Sequence, residues 1–310
     1  MKKMKIFRNN VVFIISVLIS VLVIMYGFFY NDTLNLVSGI VMNWVSLNFG
    51  WLYVLFVAFL CFFLLWLSLS KYGNIKLGDE NSKPEYSNFS WYSMLFCGGT
   101  GIGLVFWSIA EPLSHYVSPP DPIFPGSLEA ANFSIRTCFL HWGITQWVCF
   151  AIVGLGLAYF QFRKNKRGQI SDLLTPLVGE KAVNGIFGKI VDVFSVVVSF
   201  AGVATSLGLG VSQISGGLNF LWEIPNQKET WFIIIFVITC IFLASAISGV
   251  NKGIKILSKI NTYLAFILLF LGFIIGPTSM IFSNLVNGIG QHLQNFVGDV
   301  FMIDPFGDNS

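Results

Sequence analysis

A chain of 310 residues that is 55% hydrophobic and only 11% charged, with a mean hydropathy of +0.74, carries less than half the charge of a soluble domain, where about 25% of residues are charged. That much apolar surface cannot be hidden in a water-soluble core, so the composition excludes a soluble globular protein and indicates an all-α polytopic membrane protein. The net charge of +3 is too small and too scattered for a nucleic-acid partner, and the partner implied is the lipid bilayer.

A helix needs about 20 mostly apolar residues to cross the hydrocarbon. Seven stretches meet that length, at 11–30, 49–70, 91–112, 138–161, 190–221, 231–250 and 257–284. The first follows basic residues and has no small-residue cleavage site after it, which reads as a retained helix and not a signal peptide. With the N-terminus in the cytoplasm, all but Arg136 and Lys228 of the 18 basic residues fall on inside segments. This is the bias that orients membrane proteins, and seven crossings then put the C-terminus outside. Leu285, Ile289, His292, Leu293, Phe296 and Val297 fit a short amphipathic helix lying at the outer surface, followed by the turn-rich tail "DPFGDNS".

The third span contains "GTGIGLVFWSIAEP", Gly99–Pro112. Glycine weakens a helix by about 1 kcal/mol relative to alanine, yet Gly99, Gly101 and Gly103 fall at alternate positions with Gly98 beside them. Two readings stand. Small residues let helices pack closely, or the span unwinds here and its freed carbonyls coordinate a cation, as at the broken helices of secondary transporters. Proline disfavours helix at the residue before it, so the span is expected to end at Glu111, near water. The carboxylate there serves as a structural cap or gate, or carries a proton. "SPPDPIFPG" reads as an ordered outer loop.

In "HWGITQWVCFAIVGLGLAYF", Trp147 and Phe150 are three apart on one helix face, with Trp142 just over a turn earlier. Such rings form an interfacial belt or a cage for a quaternary ammonium group. The fifth span carries Ser199, Thr205, Ser206, Ser212 and Ser215, which suit packing or an ion path. The five cysteines show no pairing or metal spacing and read as small apolar side chains. There is no zinc spacing, nucleophile motif, phosphate loop or catalytic cluster, so no catalytic residue and no cofactor are expected. "GTGIG" lies inside a span with no strand before it, which rules out a dinucleotide fingerprint.

The stretches "WYSMLFCGGTGIGLVFWSIAEPLSHY", "HWGITQWVCFAIVGLGLAYF", "GVATSLGLGVSQISGGL" and "SGVNKGIKILSKINT" resemble, in order, the betaine/choline/carnitine transporters. That resemblance implies a leucine-transporter-like fold in which two leading helices precede two five-helix repeats of inverted topology. It implies substrates with a quaternary ammonium group, such as glycine betaine, choline or carnitine, imported for osmotic protection with sodium or protons. By position, Cys97 and Thr100 would offer backbone carbonyls to sodium, the one metal ion expected. Phe106 resembles a gating aromatic, and Thr100 lies beside the substrate. Trp142, Trp147 and Phe150 match one wall of the aromatic cage. Ser199 and Val203 match two threonines of a second ion site, although valine carries no side-chain oxygen. No positive side chain enters the fifth span, which favours ion coupling over sodium-independent exchange.

The departure is in length. Residues 1–90 match the cytoplasmic N-terminus and the two leading helices, 91–284 the first repeat, and 285–310 the outer-surface helix with a truncated tail. The second repeat, with the rest of the cage, is absent from the sequence. The expectation is therefore a truncated transporter unlikely to transport alone, completed by a C-terminal half or assembled as the homotrimer common in the family. The alternative is an inactive remnant or assembly partner. A seven-helix receptor or membrane enzyme is disfavoured by the inside N-terminus.

Overall fold

The computed structural model describes residues 2–99 and 101–303, and its regular structure among these is entirely helical. The chain runs through α1 (Lys2–Phe29), α2 (Asn31–Leu69), α3 (Asn88–Gly99), α4 (Ile102–Val117), α5 (Leu128–Trp142), α6 (Ile144–Ala158), α7 (Ile170–Leu173), α8 (Thr175–Asn184), α9 (Ile186–Trp222), α10 (Lys228–Ile247), α11 (Lys255–Ile275) and α12 (Thr278–Val300). Thr100 and the tail from residue 304 lie outside the described residues. Six described segments are long and apolar enough to cross a membrane: Val11–Phe29, Asn31–Leu69, Leu128–Arg163, Ile186–Trp222, Lys228–Ile247 and Val250–Ile275. The third span expected from the sequence is not among them, because it is divided between the shorter α3 and α4.

The chain clusters into two compact units. One holds the residues up to Ser82, Ile144–Val203 and those from Gly298. Its buried residues on α2 are Ala58, Leu60 and Cys61, and on α6 Val148. Small side chains let the backbones of these two helices approach, the usual means of association where lipid is as apolar as the protein. Phe62 stacks on Phe301 with ring centroids 6.3 Å apart.

The polar connection after α6 in this unit is held by ion pairs. The Arg163 guanidinium donates to the Gly78 carbonyl at 3.0 Å and lies 3.6 Å from Glu80. Asp172 caps α7 in a reciprocal capping box with Gln169 and accepts from Arg167 Nη2 at 2.5 Å. Burial alone would raise the Asp172 carboxyl. The Arg167 side chain and the backbone N–H groups of Gln169 and Arg167 outweigh it and hold the group below its ordinary value.

The second unit comprises Lys83–Gly143 and Ala204–Val297. The buried residues of α3 are Ser90 and Ser93, and those of α11 are Ser258 and Thr262. The two helices are joined by the Cys97 thiol, which donates to the Ser258 carbonyl at 3.4 Å and accepts from Asn261 Nδ2 at 3.2 Å. On α5, Ala130, Ser134 and Thr137 are buried and share one helical stripe. From that stripe Ser134 Oγ donates to the Pro112 carbonyl of α4 at 2.6 Å.

Two expected boundaries are corrected. The helix does not end at Glu111: α4 continues through Pro112 to Val117. Proline removes one intrahelical hydrogen bond, but the contacts to α5 hold the following turn, and Tyr116 and Gly126 bond each other through the loop, Tyr116 Oη to the Gly126 carbonyl at 2.9 Å and Gly126 N–H to the Tyr116 carbonyl at 2.9 Å. The expected span 257–284 also stops early. It ends at Ile275, Gly276 is extended (φ −81°, ψ 174°), and the amphipathic helix begins at Thr278, because residue 276 precedes a proline.

Helix α12 lies along α5, with Asn287 Nδ2 donating to Asn132 Oδ1 at 3.0 Å and the His292 ring stacked 6.1 Å from Phe139. A Cβ on Gly288 would come within 2.6 Å of Phe139 Cε2 and 2.7 Å of Ile135 Cγ2. Gly288→Ala is therefore expected to push α12 off α5 and cost about 1–3 kcal/mol, read as a lower melting temperature in detergent. Gly290→Ala, whose Cβ meets nothing within 4 Å, is the control.

Candidate functional site

The glycine stretch interrupts a helix. Helix α3 ends at Gly99, Gly101 is extended (φ −67°, ψ −172°), and α4 starts at Ile102. The last turn of a helix leaves carbonyls without an intrahelical partner, and Cys97, Gly98 and Gly99 form that turn of α3. Among the described residues, a Cβ on Gly98, Gly101 or Gly103 would meet no atom within 4 Å. Gly103 itself is in the first turn of α4. Thr100, the residue expected to share a cation with Cys97, lies outside the described residues. The Cys97 side chain is turned to α11.

One turn into α4, Phe106 meets Trp107 edge to face, centroids 5.2 Å apart at 85°. In the other unit the Trp147 and Phe150 rings lie 6.0 Å apart at 48°, and both remain exposed, at 38% and 53%. Their spacing of three on α6 brings the rings together. Trp142 is the last residue of α5, and a break at Gly143 (φ −91°, ψ −135°) interrupts the span expected over 138–161. Its indole N–H donates to Glu111 Oε2. Ser199 on α9 donates its hydroxyl to the Ser195 carbonyl at 2.8 Å, and Val203 is exposed.

Sequence reasoning missed the surroundings of Glu111. Glu111 is 8% exposed. Besides Trp142 it meets His141, whose Nδ1 lies 2.7 Å from Oε1, and His115, whose Nε2 lies 3.6 Å from the same oxygen. The i, i+4 spacing of Glu111 and His115 is a signal the sequence does carry. His141 is 30 residues away along the chain, and only the folding of α5 onto α4 brings it in.

The model of the family described as "BCCT, betaine/carnitine/choline family transporter" matches residues 11–310. Over 294 residues the chain is 43% identical to a probable glycine betaine transporter of Desulfitobacterium hafniense, covering 95% of this chain and 59% of that protein. It is 42% identical to the glycine betaine transporter OpuD of Bacillus subtilis, covering 95% and 57%. It is 41% identical to an ectoine/hydroxyectoine transporter of Virgibacillus pantothenticus, covering 96% and 59%. The chain thus spans under three-fifths of the length of these relatives. A multi-pass helical chain with a family match from its first apolar helix onward belongs to the betaine/carnitine/choline transporters, a family of carriers and not of enzymes.

Proposed function

We propose that this chain supplies the first part of a secondary transporter that takes up quaternary-ammonium compounds, glycine betaine, choline or carnitine, together with sodium or protons, in osmoprotection. The observation that carries the reading is the interruption of the helix after Gly99, with Gly101 extended and α4 starting at Ile102. Broken helices of this kind hold ions and substrates near the bilayer midplane in secondary transporters, and aromatic faces attract a methylated cation. In this reading the carbonyls of Cys97 and Thr100 bind the ion and Ser199 contributes a hydroxyl. Phe106 gates, and Trp142, Trp147 and Phe150 form one wall of the substrate site, with Thr100 beside it.

The topology that goes with it is seven crossings, the interrupted α3–α4 segment included: two leading helices within 1–90, a five-helix repeat over 91–284, and α12 at the outer surface. The N-terminus is cytoplasmic and the C-terminus outside. The partner that goes with it is a C-terminal half carrying the second inverted repeat, or further copies of the chain in a homotrimer.

The test joins this chain to the part of the Bacillus subtilis relative that it does not cover and measures uptake of labelled glycine betaine, choline and carnitine. Accumulation of at least one, dependent on sodium or on a proton gradient and well above that of this chain alone, is expected. A joined protein that reaches the membrane and moves none of the three overturns the substrate class.

A further inference from the structure

Two of the three histidines in the chain converge on one buried carboxylate. One ligand atom each from Glu111, His115 and His141 lies within 4.8 Å of the other two. We propose that these three residues bind a zinc-class divalent cation that ties α4 to α5. The inference does not depend on the transport reading, since it concerns only the described geometry of one unit.

Two imidazoles and a carboxylate are a donor set that suits zinc and leaves a fourth position open. Tetrahedral bonds of about 2.1 Å put neighbouring ligand atoms about 3.4 Å apart. His115 Nε2 stands 3.6 Å from Glu111 Oε1, too far for a hydrogen bond and close to the separation of two ligands on one ion. His141 Nδ1, at 2.7 Å, has to move back by about 0.7 Å to reach that separation. The His141 side chain is 51% exposed and has room to do so. With metal on Nδ1 its ring carries its one proton on Nε2, and His115 carries its own on Nδ1, so both rings stay neutral and the carboxylate supplies the charge.

The remaining carboxylate oxygen is held by the Trp142 indole N–H. Hydrogen bonds of this kind from outside the ligand shell fix the orientation of a metal-binding carboxylate. The site is also anchored at its base, because Ser134 clamps the Pro112 carbonyl next to Glu111. His115 packs edge to face against Phe133 at 5.7 Å, which limits its ring to a narrow set of rotations.

The experiment uses the full chain purified in detergent without a polyhistidine tag. Cobalt(II) titration is expected to give one equivalent with the visible d–d bands of a four- or five-coordinate N/O site, displaced by zinc, and zinc is expected to raise the melting temperature. Glu111→Gln keeps the size and the acceptor for Trp142, and should lower affinity about 100-fold or more, as should His115→Ala and His141→Ala; Trp142→Phe, which keeps an aromatic ring but removes the supporting N–H, should lower it about tenfold. If the wild-type chain shows no saturable binding, or if Glu111→Gln and His115→Ala bind cobalt as the wild type does, the site does not exist. A network built only for hydrogen bonding would give the first result, and cobalt held elsewhere on the chain would give the second.

Discussion

Replacing Trp147 by alanine in the joined transporter is expected to lower glycine betaine uptake at subsaturating substrate by about 30-fold, while Trp44→Ala leaves it within about twofold. An onium group over the face of a desolvated tryptophan gains about 2 kcal/mol, and each 1.36 kcal/mol is a tenfold change in rate or affinity. Trp147 is the half of a ring pair that offers the larger π-face, and Phe150 sets its tilt from 6.0 Å away. Trp44 is equally aromatic but 57% exposed, with Phe49 as a ring partner at 5.5 Å, so its removal falls among surface changes within about 0.5 kcal/mol. Trp147→Phe should lie between the two, since phenylalanine keeps a weaker π-face. Uptake kinetics of the four proteins at matched membrane abundance decide it. Equal and small losses for Trp147→Ala and Trp44→Ala would make Trp147 an interfacial anchor.

The chain-wide organisation was legible because hydropathy and glycine act locally. Long apolar runs became helices, and the alternate glycines after Cys97 coincided with a helix end. Not every break was read from its residues. In "FLHWGITQ" a single glycine inside an apolar run was passed over, and the helix parts at Gly143, inside the expected span 138–161. The reverse error came at Pro112, where a local rule predicted an end and the contacts from α5 carried the helix on to Val117. At Gly276–Pro277 the local signal was present, but the apolar Met280, Ile281 and Phe282 kept the window hydrophobic across the break. The histidine pair at Glu111 was missed for a different reason. The i, i+4 spacing of Glu111 and His115 was there to be read, but His141 comes from a second helix beyond a loop, 30 residues away, and no linear spacing encodes it.

The largest stability effect is expected away from the membrane, at Asp172. Its side chain is 3% exposed and Arg167 is 17% exposed, and removing one partner of such a buried pair costs about 3–5 kcal/mol because the other charge is stranded. Asp172→Ala is therefore expected to open the segment from Arg167 to Thr175. Four contacts go with it: the Arg167 and Gln169 backbone N–H groups that donate to Oδ2, at 3.0 and 3.2 Å, and the Arg167 Nε and Nη2 bonds to Oδ1. Amide hydrogen exchange reads this directly, as loss of protection at Arg167 and Gln169 with the membrane helices unchanged. Ser171 N–H, bonded instead to Asp192 Oδ1 at 3.1 Å, serves as the internal comparison and should lose less. The pH dependence follows from the direction of the shift. A carboxyl held below its unfolded value of about 3.9 contributes stability that is fully present above that value and is lost as pH falls through the folded one. Protection at Gln169 in the wild type should thus hold from neutral pH to about pH 5 and decline below about pH 4, whereas Asp172→Asn should start lower at neutral pH and show no such step. A wild-type segment that exchanges alike at pH 7 and pH 3, after correction for the intrinsic rate, would mean that the carboxylate is not what orders it.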